Sequence, residues 1–387
     1  MNYNHPVKNK GTITLRVMCA VVFVLFSFAW LYFFQGDVMA VAQHVLSNGL
    51  TSYGRLLGAV LITAVLVLLQ LAVCALTGLR KRFHTLTYLP SMLMLALLSD
   101  LSQSFTPEWG IAFRWWIPVV VLIVWGGLVM VARRIQTVED DRSFHLLSRP
   151  MWVNMLTMSL LMMGVAGIGN TNAVFHYRAQ AENLLENDNF DGALRVGMKS
   201  LETDGNLQML RMYALARKDS LGECLFNYPM AVGSRGMLPT DGSSEFLIYP
   251  ADSLYRFLGA RPANRMKPMR YVELVLERDS LPDKSASAVA DYLLCGYLLD
   301  RQLDQFAQEI GNYYEVDEHL PRNYREALIL YTHLRSNPVL VYHDAVMDEN
   351  YENLLELEQA YPDEAERKGK VAKMYGKTYW YYYKYGV

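Results

Sequence analysis

The chain has 387 residues, of which 52% are apolar, with 36 Lys or Arg against 38 Asp or Glu, for a net charge of −2. So even a balance, without a long basic block, gives nucleic acid no footing as a partner. The average conceals two halves: residues 1–170 hold long apolar runs that carry almost no charge, and residues 171–387 are charge-rich.

A helix needs about 20 apolar residues to cross the hydrocarbon core of a bilayer. Five stretches of the first half qualify as spans: 13–34, 56–79, 85–103, 113–132 and 151–169. The first could also be a signal peptide, with Ala40-Val41-Ala42 as its small-x-small cleavage pattern. Its apolar run is longer than the roughly 7–15 residues of a signal core, so an uncleaved anchor is the preferred reading. The second span is closed by Arg80-Lys81-Arg82. The third is short, carries Pro90 and ends at Asp100; proline is tolerated in a membrane helix when neighbours satisfy the carbonyl it frees. Trp115-Trp116 open the fourth and Arg133-Arg134 close it, and the fifth is rich in Met and in small residues such as Gly164, Ala166 and Gly167.

Lys and Arg accumulate on the cytoplasmic side of membrane proteins. One set of loops holds Lys8, Lys10, Arg16, Arg80, Lys81, Arg82, Arg133, Arg134, Arg142 and Arg149; the other holds only Arg55 and Arg114. The amino terminus is therefore expected inside and the carboxy-terminal half outside, which in a Gram-negative cell means an inner-membrane, multi-pass protein with a periplasmic domain. Reading the third span as a re-entrant hairpin would reverse this against the charge bias.

From residue 171 the expectation is a soluble, all-α domain. Helical periodicity appears at Phe175–Glu186, Phe190–Thr203, Leu207–Lys218, Met269–Asp279, Ala286–Leu299, Gln302–Tyr314, Arg322–Leu334 and Tyr351–Tyr361. Residues 227–250, with Pro229, Gly233, Gly236, Pro239 and Gly242, form a long irregular insert. Ala181, Phe190, Ala193 and Ser200, around the turn Asp188-Asn189-Phe190-Asp191, resemble one tetratricopeptide repeat. The match departs at Tyr177, Gly197 and Gly205. Val289–Tyr314 is a second hairpin candidate, and Tyr324–Leu334 followed by Val339–Met347 a third. Two fold readings stay open: a drifted tetratricopeptide or α-solenoid-like array, and a helical domain without repeat symmetry.

The order of spans, with Trp30-Leu-Tyr-Phe-Phe-Gln35 and Leu225-Phe-Asn-Tyr-Pro229, resembles a family of uncharacterised multi-pass membrane proteins of Bacteroidetes. The resemblance implies an inner-membrane location and no known activity, so no functional residue is carried over from it.

Motifs that carry chemistry are scarce. The eight His are scattered, there is no HExxH, GxSxG, Walker A or metal-type Cys/His spacing, and no cofactor is implied. Cys224 and Cys295 are either two free thiols or a distant pair. Asp37, Asp100, Glu108 and Arg114 gather at the outer ends of the spans, either as an interfacial charge cluster or as separately solvated groups. Gly233-Ser234-Arg235-Gly236 is either an anion cradle or a flexible turn. Arg211, Tyr213, Arg217 and Lys218 on the second hairpin, with Arg235, are the candidate binding residues; a solvated helix face explains them too. The leading expectation is a non-enzymatic protein that contacts membrane lipid through its spans and offers the helical domain to a protein or peptide partner in the envelope. The alternative is a membrane-embedded enzyme or transport component acting on an envelope or lipid-linked substrate.

Overall fold

The computed structural model describes residues 10–100, 116–136, 149–278 and 282–386. The chain divides into two compact units, Met1–Asn172 and Ala173–Val387. Among the described residues every regular element is helical.

In the first unit α1 (Lys10–Ala29) runs into a π-helical turn at Trp30–Phe34, and α2 (Gly36–Leu46) follows. Then come α3 (Arg55–Thr77), a 3-10 segment (Lys81–Tyr88), α4 (Leu89–Ser99), α5 (Trp116–Gln136) and α6 (Arg149–Ile168). Among the described residues four stretches are long and apolar enough to cross a membrane, Ile13–Phe34, Arg55–Thr77, Trp116–Gln136 and Arg149–Ile168, which marks the protein as membrane-associated.

The expected span 85–103 takes another form. Its first residues belong to the 3-10 segment, α4 has 11 residues, and residues 101–103 lie outside the described residues. Pro90 supplies the reason. It has no N–H to give to the Leu86 carbonyl, so an α-helix cannot run through it from the preceding turn. The Leu86 carbonyl instead accepts the Trp125 indole N–H at 2.8 Å. Upstream, the Thr85 N–H goes to Asn154 Oδ1 at 2.9 Å and its hydroxyl donates to the same oxygen at 2.6 Å. Gln70 donates to Thr87 Oγ1 at 3.0 Å, and the Ser91 hydroxyl to the Leu66 carbonyl at 2.9 Å. At the far end Trp30 Nε1 donates to Ser99 Oγ at 2.8 Å and the Asn170 N–H to the Ser99 carbonyl at 2.8 Å. The 3-10 segment and α4 thus follow α6 from Asn154 to Asn170.

The unit is inverted relative to a soluble bundle. Leu57, Leu61, Val65 and Leu68 of α3 are more than half exposed, while Gln70, Thr85, Thr87, Ser91, Ser99 and Asn154 are buried. Side chains that face lipid need no polar atoms, and backbone groups that leave helical bonding must be satisfied inside. The π turn shows this. Arg55 Nε donates to the Tyr32 carbonyl at 2.7 Å and its guanidinium lies 3.5 Å from Asp37. A Cβ at Gly36 would stand 2.3 Å from Arg55 Nε, so this position admits the arginine only as glycine.

The second unit contains α7 (Ala173–Glu186), α8 (Phe190–Arg195), α9 (Gly205–Arg217) and α10 (Leu221–Cys224), then α11 (Ala251–Phe257), α12 (Pro268–Leu276), α13 (Asp283–Leu299) and α14 (Leu303–Glu309). It closes with α15 (Arg322–Leu334), α16 (Ala345–Ala360), α17 (Glu364–Tyr375) and α18 (Tyr379–Tyr385). One corner recurs three times. Asp188, Asp219 and Arg301 adopt positive φ (53°, 51°, 57°). The next residue donates to the carbonyl five back: Asn189 to Leu184 (2.9 Å), Ser220 to Leu215 (3.0 Å) and Gln302 to Tyr297 (2.8 Å). This is the Schellman closure of a helix end, and it joins α7 to α8, α9 to α10 and α13 to α14.

The second helix of each pair is short. The expected helix Phe190–Thr203 stops at Arg195 because Gly197 turns to φ 61°, where an added Cβ would meet the Tyr177 ring at 2.8 Å. The expected helix Val339–Met347 is also absent. Residues 339–344 are non-helical, and Asp344 caps α16 by accepting from the Val346 and Met347 N–H groups. Of the 25 tyrosines, Tyr213, Tyr271, Tyr292, Tyr324 and Tyr379 are among the largest fully buried side chains.

The insert 227–250 has little regular structure yet is fixed by helical side chains. Glu182, fully buried on α7, accepts the N–H groups of Leu247 (2.7 Å), Ile248 (2.8 Å) and Tyr249 (3.1 Å), and Arg178 lies 3.3 Å away. Gln208 of α9 accepts from Ala231 (3.0 Å) and Val232 (3.1 Å) and donates to the Gly233 carbonyl at 3.1 Å. Glu182→Ala leaves Arg178 and three amides without their acceptor. It is expected to cost about 3–5 kcal/mol, the range for removing one partner of a buried charge pair, and to speed hydrogen exchange at Leu247–Tyr249. Unaltered exchange at those three amides would count against the clamp.

Candidate functional site

The candidate residues on α9 separate into two environments. Arg211 is 1% exposed. Its guanidinium stacks 5.2 Å over the Tyr228 ring and reaches the Gly197 carbonyl at 3.4 Å and Thr203 Oγ1 at 3.4 Å. Tyr213 is fully buried; its hydroxyl lies 2.9 Å from that of Tyr249 and accepts from Arg217 at 2.9 Å. Burial pushes the Tyr213 phenol well above its ordinary pKa. Neither side chain offers a surface to a partner.

Arg217 covers the same aromatic group from outside, 4.6 Å from the Phe190 ring centre and 5.4 Å from that of Phe257. It also lies 3.8 Å from Asp188 at the first corner. Lys218 pairs with Asp191, whose carboxyl it holds below the usual range. These two cations therefore seal the first two hairpins against each other, and cation–π contact at a partly exposed site adds about 0.5–1 kcal/mol.

The proposed anion cradle is filled by the protein's own carboxylate. Asp300, beside the third corner, accepts the Ser234 N–H at 2.8 Å and its hydroxyl at 2.6 Å, and a Cβ at Gly233 would stand 2.6 Å from Asp300 Oδ1. Arg235 points away, with a side chain 73% exposed and Asp241 3.8 Å from its Nε. Arg261 and Arg270, on the neighbouring basic stretch, pair with Asp252 (3.3 Å) and Glu273 (3.2 Å).

In the first unit Asp37 meets Arg55, and Asp100, half-buried, ends α4. Glu108 and Arg114 lie outside the described residues. One titratable group was invisible to periodicity: His84, placed by the sequence just ahead of a span, is 3% exposed inside the unit.

Cys224 and Cys295 are free thiols. Cys295 is buried 3.5 Å from the Tyr324 hydroxyl, and burial pushes its thiol far above the range in which a thiolate forms. Asp291 accepts from the hydroxyls of Tyr314 (2.7 Å) and Tyr324 (2.8 Å), with burial raising its carboxyl. His333 and His343, ten residues apart, both approach Asp348, at 3.9 Å and 3.4 Å. Among the described residues no cluster of metal-ligating side chains forms.

A further buried carboxylate is Glu326 on α15. It accepts the Tyr379 N–H at 2.7 Å and Arg322 Nε at 2.7 Å, while its own carbonyl accepts the Trp380 indole N–H at 2.7 Å. It thereby seats α18 on α15. Burial pushes its carboxyl up to about 7, against the pull of Arg322 and the Tyr379 amide.

Residues 280–386, which include this clamp, match the model of a family of unknown function (DUF6057). No curated protein and no solved structure matches the chain.

The Glu326 shift has a definite sign. Between an unfolded carboxyl near 4.5 and a folded one near 7, the native state holds the extra proton, so stability falls as pH rises through that window and is level outside it. The contribution amounts to about 3 kcal/mol at most. The thermal midpoint of the detergent-solubilised protein should drop from pH 5 to pH 8, and Glu326→Gln should flatten that dependence. An equal drop in the variant would assign it to other groups.

Proposed function

We propose that the first unit fixes this protein in the inner membrane and that the second is a drifted tetratricopeptide-like array serving protein–protein contact in the cell envelope. The observation that carries this reading is the corner repeated at Asp188, Asp219 and Arg301 with one hydrogen-bond pattern. Short hairpins that close alike and stack in series make extended surfaces suited to a peptide or a partner helix. The first two corners are 31 positions apart in the sequence, near the roughly 34-residue period of tetratricopeptide repeats.

Five crossings fit the same reading. The 3-10 segment and α4 accompany α6 from Asn154 to its end at Ile168, roughly 21 Å of helical rise, so a short helix with a 3-10 lead covers much of the hydrocarbon depth. Such backbone is tolerated where protein surrounds it, and Thr85 and Thr87 are buried. Five crossings would leave the amino terminus and residues 173–387 on opposite sides, and the Arg-rich loops support a periplasmic side for the latter.

Tyr213 is buried, so the surface must be probed elsewhere. Leu201, between α8 and α9, is 89% exposed. A photoreactive residue there is expected to give a discrete protein adduct in intact cells, while cysteines at Arg80 and Leu201 should label from opposite sides of the membrane. Labelling from one side sinks the topology, and no adduct at Leu201 or other exposed hairpin positions sinks the interaction reading.

A second reading, a membrane-embedded activity on an envelope or lipid-linked substrate, draws on the buried polar interior of the first unit, where His84 Nδ1, Ser27 Oγ and Thr63 Oγ1 have no hydrogen-bond partner. Loss of a cellular phenotype on His84→Phe, with insertion intact, would favour it.

A further inference from the structure

The α15–α16 loop and the first turn of α16 turn apolar side chains outward. Val339 is 74% exposed, Val341 56% and Val346 68%. Slack does not explain this, because the loop is tied on several sides. The Val339 N–H donates to the Tyr331 hydroxyl at 3.1 Å, and the Tyr342 N–H to Thr332 Oγ1 at 3.3 Å. The buried Tyr342 side chain donates to the Asp317 carbonyl at 3.3 Å, and Asp344 pairs with Arg325 at 3.1 Å. The valines are held outward by a fixed loop and the helix start that follows it, although apolar surface gains by leaving water.

Residues 340–346 form one wall of a cleft of about 650 Å³, and Val316, Asp317 and Glu318 form the other. That volume is in the range of about 300–1,000 Å³ typical of ligand sites. Its charge is one-sided. Segments 313–321 and 336–352 together carry seven carboxylates and no Lys or Arg. Asp344 is matched by Arg325 and Asp348 by the two histidines, while Glu315, Asp317 and Glu318 on the opposite rim are exposed. An acidic rim over valine walls repels anionic lipid headgroups and nucleic acid and attracts a cation with an aliphatic flank.

We propose that this cleft is where the second unit docks its partner, and that the occupant is an extended segment of another protein in which aliphatic residues alternate with Lys or Arg. The inference rests on the interaction reading above and names the surface and the partner chemistry. Val341 and Val346 take the aliphatic side chains, and Glu318 with Asp317 takes the cations.

The test uses the full-length protein in detergent and a fluorescein-labelled peptide of alternating Lys and Val, with a Glu–Val peptide of equal length beside it. The Lys–Val peptide should bind in 50 mM salt, and the Glu–Val peptide should not. Val341→Ser and Glu318→Lys lie on the surface and leave the core intact; each should weaken binding at least tenfold. Binding lost on Glu318→Lys but untouched by Val341→Ser would be general charge attraction, and overturns the proposal. In cells, a photoreactive residue at Val346 should capture a Lys- or Arg-flanked aliphatic segment of a different protein. Capture of a second copy of this chain overturns the stated occupant. An adduct at Leu201 with none at Val346 overturns the cleft and spares the interaction reading; silence at both positions removes both.

Discussion

Every backbone group that leaves a helix here must find a partner, and side chains standing on helices supply it. Glu182 gathers three amides of the insert at Leu247, Ile248 and Tyr249. Gln208, Asp300 and Glu326 do the same for Ala231 and Val232, for Ser234 and for Tyr379. A buried amide without an acceptor costs about 1–3 kcal/mol. A segment as irregular as residues 227–250 can therefore persist only if acceptors are built into the helices it crosses. This also explains charged groups inside the second unit: they are the inner ends of loop attachments, and removing one frees a loop and strands a charge together.

The same constraint acts in the first unit with a different solvent. Pro90 and the π turn free carbonyls that water cannot reach, and Trp125 and Arg55 answer them. Thr85, Asn154, Gln70 and Thr87 pair with one another inside the unit, beside an apolar core that includes Leu15, Phe23, Leu66, Tyr88 and Met158. One chain thus places its polar side chains inward in one unit and largely outward in the other.

Composition sufficed for the four long apolar helices, since length and hydropathy decide a spanning stretch. Periodicity found the cores of α7, α9, α13 and α15, whose apolar faces repeat. It missed α18, where Tyr379-Trp380-Tyr381-Tyr382-Tyr383 has no polar face to set a phase, and α17, where Val371 is the one buried residue. It drew a helix through Val339–Met347 where Asp344, an N-cap residue by type, starts α16 instead. The candidate residues diverged for a related reason. Charge and hydroxyl groups suggest surface, and what buries Arg211 and Tyr213 is Tyr228 and Tyr249, contributed by the insert. Partners that distant leave no trace in a periodic pattern.

The three left-handed corners are occupied by Asp188, Asp219 and Arg301 rather than glycine, although that conformation costs a residue with a Cβ about 1–2 kcal/mol. Two of these side chains work as struts: Asp188 reaches Arg217 at the end of α9, and Arg301 donates to the Gly386 carbonyl at 2.5 Å and stacks 5.5 Å from the Tyr382 ring. The hairpins are thus tied at their tips as well as along their packed sides. Glycine at those corners would relieve the backbone cost and give up both links.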